Sequence, residues 1–416
     1  MKFRIIIAAA VMTVAATMGS AESAAVPVWD TISTNCTRLI VSNTGNFGMQ
    51  GIGGVNMDYV DAGDCDPTAN VYLYDGSIVI GYVRNGNDTV VNFSIFGTGP
   101  ADSNGFVPVG EHTPTTDYGD YELFQTGKFV THDSLIAIEI DWYAPRNNPD
   151  TCSFMVQLIT VYLNDTTQPP PTGIRIGEVV DFNIPADTGY RNHSGFDYPH
   201  NLVYQQGSEE DGIGCQPNDL RYGGIVFALT IRLGICGPAI VTDFPHGGYT
   251  RDNASCIDLA GDYIEDSLYR YMANSGYNIS DSVNGDLHTV MTFDTLEMLR
   301  PEDTIICLVG LVTAENGNLS VFLNDVEEYY DWLGDYILPP CPQCGKVRGD
   351  VDHSYSIDVG DLTYLVAYLF QGGPSPACGD EGDVDGCGSI DVGDLTYFVA
   401  YLFSGGPAPP SLTCWY

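Results

Sequence analysis

The alternation of apolar and polar positions divides this chain into unlike stretches. Over residues 26–338 it offers short runs of β-branched and aromatic residues separated by turns of Gly, Asn, Asp and Pro. Residues 77–83, 89–96, 121–130, 135–143, 153–163, 174–184, 224–233, 287–293 and 304–312 read as strands on this pattern. Strands of this length and spacing stack as antiparallel sheets, so the expectation is a mainly β fold built on a large antiparallel β-sandwich. The stretch is long enough for one large sandwich or for two fused ones. Pro169, Pro170 and Pro171 fall between two strong strand candidates and predict a stiff loop rather than a domain linker. Helices are expected at 263–272 and 319–337, after which Pro339 and Pro340 break the chain.

Beyond the prolines the apolar period becomes helical. Leu362, Leu365, Val366 and Leu369 fall at i, i+3, i+4 and i+7, and Leu395, Phe398, Val399 and Leu402 repeat the stripe. The two stripes are expected to bury each other. Tyr364 and Tyr368 add a second face, echoed by Tyr397 and Tyr401, and a helix apolar nearly all round needs a further neighbour. That neighbour is either the upstream domain or another protein. Gly372-Gly373-Pro374 and Gly405-Gly406-Pro407 stop the helices, because glycine accepts the left-handed cap and proline cannot continue the ladder.

Each helix belongs to a phrase written twice: GDVDHSYSIDVGDLTYLVAYLFQGGPSP from Gly349 and GDVDGCGSIDVGDLTYFVAYLFSGGPAP from Gly382. A repeat at a fixed offset is one structural unit used twice. Oxygen-bearing side chains recur at positions 1, 3, 5, 7, 9 and 12 of each, the spacing by which a twelve-residue loop folds around a hard cation. The first loop supplies Asp350, Asp352, Ser354, Ser356, Asp358 and Asp361. The second supplies Asp383, Asp385, Ser389, Asp391 and Asp394, with Cys387 where a fifth-position oxygen is expected. Four carboxylates per loop repel one another unless a cation sits between them. Calcium is the expected ion, one per loop. A thiol is a poor ligand for a hard ion, so the first site should be the stronger.

These repeats resemble type I dockerin modules, paired calcium loops each followed by one helix, which dock polysaccharide-degrading enzymes onto cohesin scaffolds. The resemblance covers residues 346–412 and rests on GDVD opening each loop, Asp at position twelve, and the helices LTYLVAYLF and LTYFVAYLF. It implies a small α-helical calcium-binding module and a scaffold or cell-surface partner. Cohesin-binding dockerins commonly carry hydroxyl residues at loop positions ten and eleven and basic residues partway along the helix. Here those places hold Val359, Gly360, Val366 and Ala367, then Val392, Gly393, Val399 and Ala400. The dockerin shape is therefore better supported than a cohesin partner.

At the other end Lys2 and Arg4 precede an apolar run and small residues, the pattern of a cleaved export signal, and the run is too short for a membrane span. The expected organisation is a signal peptide at 1–21, with cleavage as late as 25, a β-rich extracellular domain at 26–338, a Pro/Cys linker at 339–348 and the paired loops at 349–412. Acidic residues number 54 against 15 basic ones, for a net charge of −39, which makes nucleic acid or an anionic membrane an improbable partner. The 12 cysteines fit an oxidising compartment, hence a secreted, disulfide-bonded protein. Cys341 and Cys344 lack the second pair that a zinc site needs. Cys378 and Cys387 are candidates to clamp the mouth of the second loop. Asn-x-Ser/Thr sequons, among them Asn87 and Asn278, mark exposed turns if the host glycosylates.

The β-rich region offers catalytic candidates without constellations. Glu139 with Asp141, or Glu178 with Asp181, would serve as glycosidase acid and nucleophile only if folding set two carboxyls about 5–10 Å apart across a cleft. His193, His200 and His246 lie in Gly- and Asp-rich loops, where ordinary surface histidines are commonest. Trp142 and Trp332 are the tryptophans expected to line such a cleft. No GxSxG elbow, HExxH helix or phosphate-binding glycine loop occurs. Two readings follow. The preferred one is a secreted non-catalytic binding or structural protein, with carbohydrate among its candidate partners; the other is a polysaccharide-degrading enzyme docked through its tail.

Overall fold

The computed structural model describes residues 27–48, 57–59, 72–94, 105–146, 153–182, 184, 192–207, 220–233, 240–252, 265–279, 287–337, 347–354, 356–376, 378–386 and 390–410. The expected signal peptide, the linker cysteines Cys341 and Cys344, and the loop residues Cys387 and Ser389 lie outside the described residues.

Two large sheets face each other, as a mainly β sandwich requires. One runs, in spatial order, β1 (Trp29–Ser33), β2 (Thr37–Ser42), β3 (Asn46–Phe47), β5 (Leu73–Arg84), β13 (Thr172–Phe182), β20 (Leu287–Met298), β18 (Gly247–Asp252) and β19 (Gly276–Ile279). Beside this path, β4 (Met57–Tyr59) pairs with β2 and β6 (Asp88–Asn92) with β5. The other sheet runs β14 (His193–Asp197), β15 (Leu202–Gln206), β16 (Leu220–Leu233), β21 (Thr304–Gly317), β12 (Phe154–Leu163), β11 (Ile136–Pro145), β10 (Phe129–Val130) and β7 (Val107–Pro108). Off that path, β17 (Ile240–Thr242) pairs with β16, and β9 (Tyr121–Gln125) pairs with both β11 and β8 (Thr113–Asp117). The long central strands pair antiparallel, whereas β18 and β19 run parallel.

One core fills the space between the sheets, so the body is a single sandwich. Period-two alternation sends Ile138, Ile140 and Trp142 of β11 into that core, and Ile174, Ile176, Val180 and Phe182 of β13 meet them from the opposite sheet. Trp142 lies edge-on to Phe47 across the interface, with ring centroids 5.1 Å apart. The loop holding Pro169, Pro170 and Pro171 carries the chain from β12 in one sheet to β13 in the other, as a stiff connector should. The expected strand at 121–130 is two strands, β9 and β10. Gly127 between them has φ +65, and a Cβ there would stand 2.2 Å from the Glu111 carbonyl oxygen.

Each sheet wears one helix on its outer face. Leu268 and Met272 of α1 (Glu265–Met272) pack on Val79, Val91, Val179 and Val290. Phe322, Val326, Tyr329, Trp332 and Leu333 of α2 (Leu319–Tyr336) cover the other sheet, which explains why β12 is buried on both faces and reads as a mostly apolar run broken by Gln157 and Thr160. Asn318 caps α2 by accepting from the Ser320 and Val321 amides. Gly310 of β21 lets Tyr329 lie flat, since a Cβ there would come within 2.5 Å of its ring. Among the described residues no helix is long and apolar enough to cross a membrane.

The C-terminal unit comprises α3 (Val359–Gln371), α4 (Gly379–Gly382) and α5 (Val392–Ser404). Its own buried cluster is Val351, Leu365, Val384 and Phe398, with no member from the sandwich. The two helices do bury each other, through Leu362, Leu365, Leu395, Phe398 and Leu402 of the expected stripes. Tyr364 and Tyr397 join the cluster, while Val399 stays 45% exposed. Val351, Val384, Ile357 and Ile390 from the loops supply part of this core, which turns each helix toward its own loop. The Tyr364 and Tyr397 hydroxyls donate to the carbonyls of Ser375 and Ala408, tying the chain beyond each Gly-Gly-Pro back onto the helix.

The expectation of paired thiols holds at Cys36 and Cys378, both disulfide-bonded. The partner suggested for Cys378, Cys387, is outside the described residues. Cys307 departs from the expectation: it is a free thiol in the core, accepting from the Thr230 hydroxyl, and burial raises its pKa well above the ordinary thiol range.

Candidate metal centre

The twelve-residue spacing sets both loops at the start of a helix, and the helix terminus organises the acids. Asp358 and Asp391, at position nine, are the N-caps of α3 and α5; each accepts at 2.6 Å from the amide two residues on. Asp361 and Asp394, at position twelve, complete the capping boxes by accepting from the Asp358 and Asp391 amides at 2.9 and 2.7 Å. The other oxygens of Asp361 and Asp394 accept from the amides of Asp352 and Asp385, both at 3.1 Å. Position four takes a left-handed backbone in each copy, with φ 60 at His353 and φ 75 at Gly386.

This scaffold brings three carboxylates together in each loop. Ligand atoms of Asp350, Asp352 and Asp361 lie within 4.8 Å of one another, as do those of Asp383, Asp385 and Asp394. Asp361 and Asp394 are wholly buried, and that burial first, then the neighbouring Asp352 or Asp385 charge, raises their pKa above the ordinary carboxylate range. Backbone amides oppose the rise. Such a site favours either a proton or a cation, and an all-oxygen donor set fits a hard divalent ion.

The remaining expected ligands stand around these triads. The Ser354 amide donates to Asp350 at 2.9 Å and to Asp352 at 3.0 Å, while the Ser354 hydroxyl turns to Ser356. The Ser356 hydroxyl lies 3.4 Å from Asp358. Asp358 and Asp391 belong to the caps rather than to the triads. One charge was not anticipated from the spacing: buried Arg348 reaches Asp383 at 3.1 Å. It places a resident cation against the first ligand of the second loop. Asp350→Ala with Asp361→Ala should therefore cost more calcium affinity than Asp383→Ala with Asp394→Ala, by roughly tenfold or more in calorimetric titration. Equal losses, or the reverse order, would sink the ranking.

The catalytic candidates of the sandwich are not set across a cleft. Glu178 shares the inward row of β13 with Ile174, Ile176, Val180 and Phe182 and is completely buried, whereas Asp181, an odd number of residues on, belongs to the outer face near His288. Glu139 and Asp141 do share one face of β11, but Tyr162 donates to the first at 2.7 Å and Gln125 to the second at 2.9 Å. Burial lifts Asp141 to about 6. Trp142 is in the core, and Trp332 is on α2 and buried against the sheet that helix covers, so neither lines a cleft. His200 bonds Asp197 at 2.9 Å, His246 contacts the Ala273 carbonyl at 3.3 Å, and His193 sits half-buried on edge strand β14. Among the described residues, groups of three or more metal-ligating side chains occur only in the two loops.

No protein-family model and no curated protein matches this chain. Among solved structures, a protein named as a kojibiose phosphorylase from human microbiome is similar over 74% of this chain and 37% of its own, at 11% identity and a TM-score of 0.29. A polysaccharide lyase is similar over 76% of this chain and 36% of its own, at 11% identity and a TM-score of 0.23. The chain thus spans little more than a third of either protein. At such scores the likeness transfers neither a fold nor a function.

Proposed function

We propose that this chain is an exported, non-catalytic binding or structural protein, a β-sandwich carrying a calcium-stabilised, dockerin-like C-terminal unit. The observation that carries the reading is the convergence of three carboxylates in each of two equivalent loops, every triad anchored by a helix capping box. Each loop takes one calcium ion through its triad, and the position-seven carbonyl and position-five oxygen complete the shell where they are available. The non-catalytic part of the reading is supported by the separation of Glu178 from Asp181 across β13 and by the hydrogen-bonded state of Glu139 and Asp141. A polysaccharide-degrading enzyme remains the second reading, favoured by one observation: Asp141, lifted to about 6, shares a strand face with Glu139.

What the unit presents outward argues against a standard cohesin partner. Val359, Val392 and Val399 face solvent where hydroxyl or basic residues would meet a cohesin's polar groups, and Phe370 and Phe403 add exposed apolar surface. Docking would leave those polar groups unpaired. The full-length protein, loaded with calcium, is accordingly expected to show no saturable binding to a panel of type I cohesins by calorimetry, while calcium itself binds. Tight, saturable binding to any member would overturn this and move the docked-enzyme reading to first place.

A further inference from the structure

The two loops are joined by residues outside the ligand spacing, one of which reaches a ligand of loop two. Arg348, two residues ahead of the first ligand of loop one, is buried, and its Nη1 donates to both the backbone carbonyl and the carboxylate of Asp383, the first ligand of loop two. The Gly349 amide donates to the Glu381 carbonyl at 3.0 Å. The fully buried Glu381 carboxylate lies 2.6 Å from Nε2 of His353, position four of loop one. Residues 348–353 and 381–383 therefore form a clasp in which the opening turn of each loop is held by the other.

Such a clasp has a consequence for binding. Drawing Asp350, Asp352 and Asp361 around an ion fixes the segment that carries Arg348 and His353, and these fix Asp383 and Glu381. The guanidinium contacts Oδ2 of Asp383, which orients that carboxylate before any ion arrives. Ordering one loop thus removes part of the ordering cost of the other, and linkage makes the effect reciprocal. We propose that Arg348 and the His353–Glu381 contact are positioning elements that make the two loops bind calcium as a coupled pair. This rests on the calcium reading of the loops.

The test uses the full-length chain and calcium titration by calorimetry. Asp385→Ala with Asp394→Ala disables loop two while sparing the clasp, and it should weaken loop one by roughly tenfold. In an Arg348→Met background the same lesion should weaken loop one by clearly less than tenfold, because one of the two side-chain connections is cut. His353→Asn gives a second test should Arg348→Met fail to fold: asparagine tolerates the left-handed backbone at this position but is too short to keep the Glu381 contact, so coupling should fall. A purely structural role would lower the melting temperature and leave coupling intact. Loop-one affinity that is indifferent to the loop-two lesion in the otherwise wild-type protein overturns the proposal while leaving calcium binding standing. Coupling that survives undiminished in both clasp variants overturns the assignment to these residues. No calcium binding by either loop would remove the calcium reading itself, and the proposal with it.

Discussion

With its disulfides intact, a fragment spanning residues 345–416 should gain helical circular dichroism when calcium is added and lose it to a chelator. The unit is small, and its fully buried apolar side chains are Val351, Leu365, Val384 and Phe398. A core this small leaves such a unit dependent on a further staple, and a bound metal is one. The acids deepen that dependence, since each triad gathers three carboxylates within 4.8 Å. An ion at a hundred times its dissociation constant contributes about 2.7 kcal/mol, so filling both loops adds on the order of 5 kcal/mol and reverses the repulsion as well. An unchanged spectrum, together with an absence of calorimetric heat, would remove calcium from the account of this unit.

The long strands were legible because they are central. β5, β11, β12, β13, β16, β20 and β21 each overlap one of the runs read from the sequence over most of its length, since a strand buried on both faces is predominantly apolar. Several shorter strands were missed, buried β2 and β15 among them, and two others have a clear reason. β8 is exposed along most of its length, and β14 is a partly exposed edge strand containing His193, Ser194 and Asp197, so neither buries enough to imprint an alternation. In the C-terminal unit, acid spacing located the triads and helical periodicity picked out Leu362, Leu365, Leu395, Phe398 and Leu402 of the packed face, but it takes no account of core residues donated by the loops. Arg348, His353 and Glu381 were invisible for a similar reason. They stand outside the ligand spacing, and only the packing of one loop on the other gives them a role. Glu178 is the instructive case among the carboxylates, because a signal was present: it occupies an even position between Ile176 and Val180, and parity alone puts it inside.

That position makes Glu178 the source of a large pH effect. Its Oε1 accepts from Gln157 Nε2 at 2.7 Å across the two sheets, and no other hydrogen-bond partner reaches Oε2. Burial raises its pKa from 4.5 to about 8, with the Gln157 contact opposing the rise. The folded protein therefore keeps this proton through a range in which the unfolded chain has released it. Its stabilising contribution is full below about pH 4.5, declines across the interval and is lost as pH rises through about 8, a change on the order of 5 kcal/mol. Glu178→Gln keeps the shape and one amide hydrogen bond to Gln157 while removing the titration. Its thermal stability should match the wild type near pH 5 and exceed it by several degrees at pH 9. Asp141 and Asp325, raised to about 6 and about 7, titrate in the same interval but are common to both proteins, so they cancel in the comparison. Parallel stability profiles from pH 5 to 9 would show that Glu178 is not the group that loses its proton, and the alkaline weakness would then have to lie with the carboxylates outside the core row.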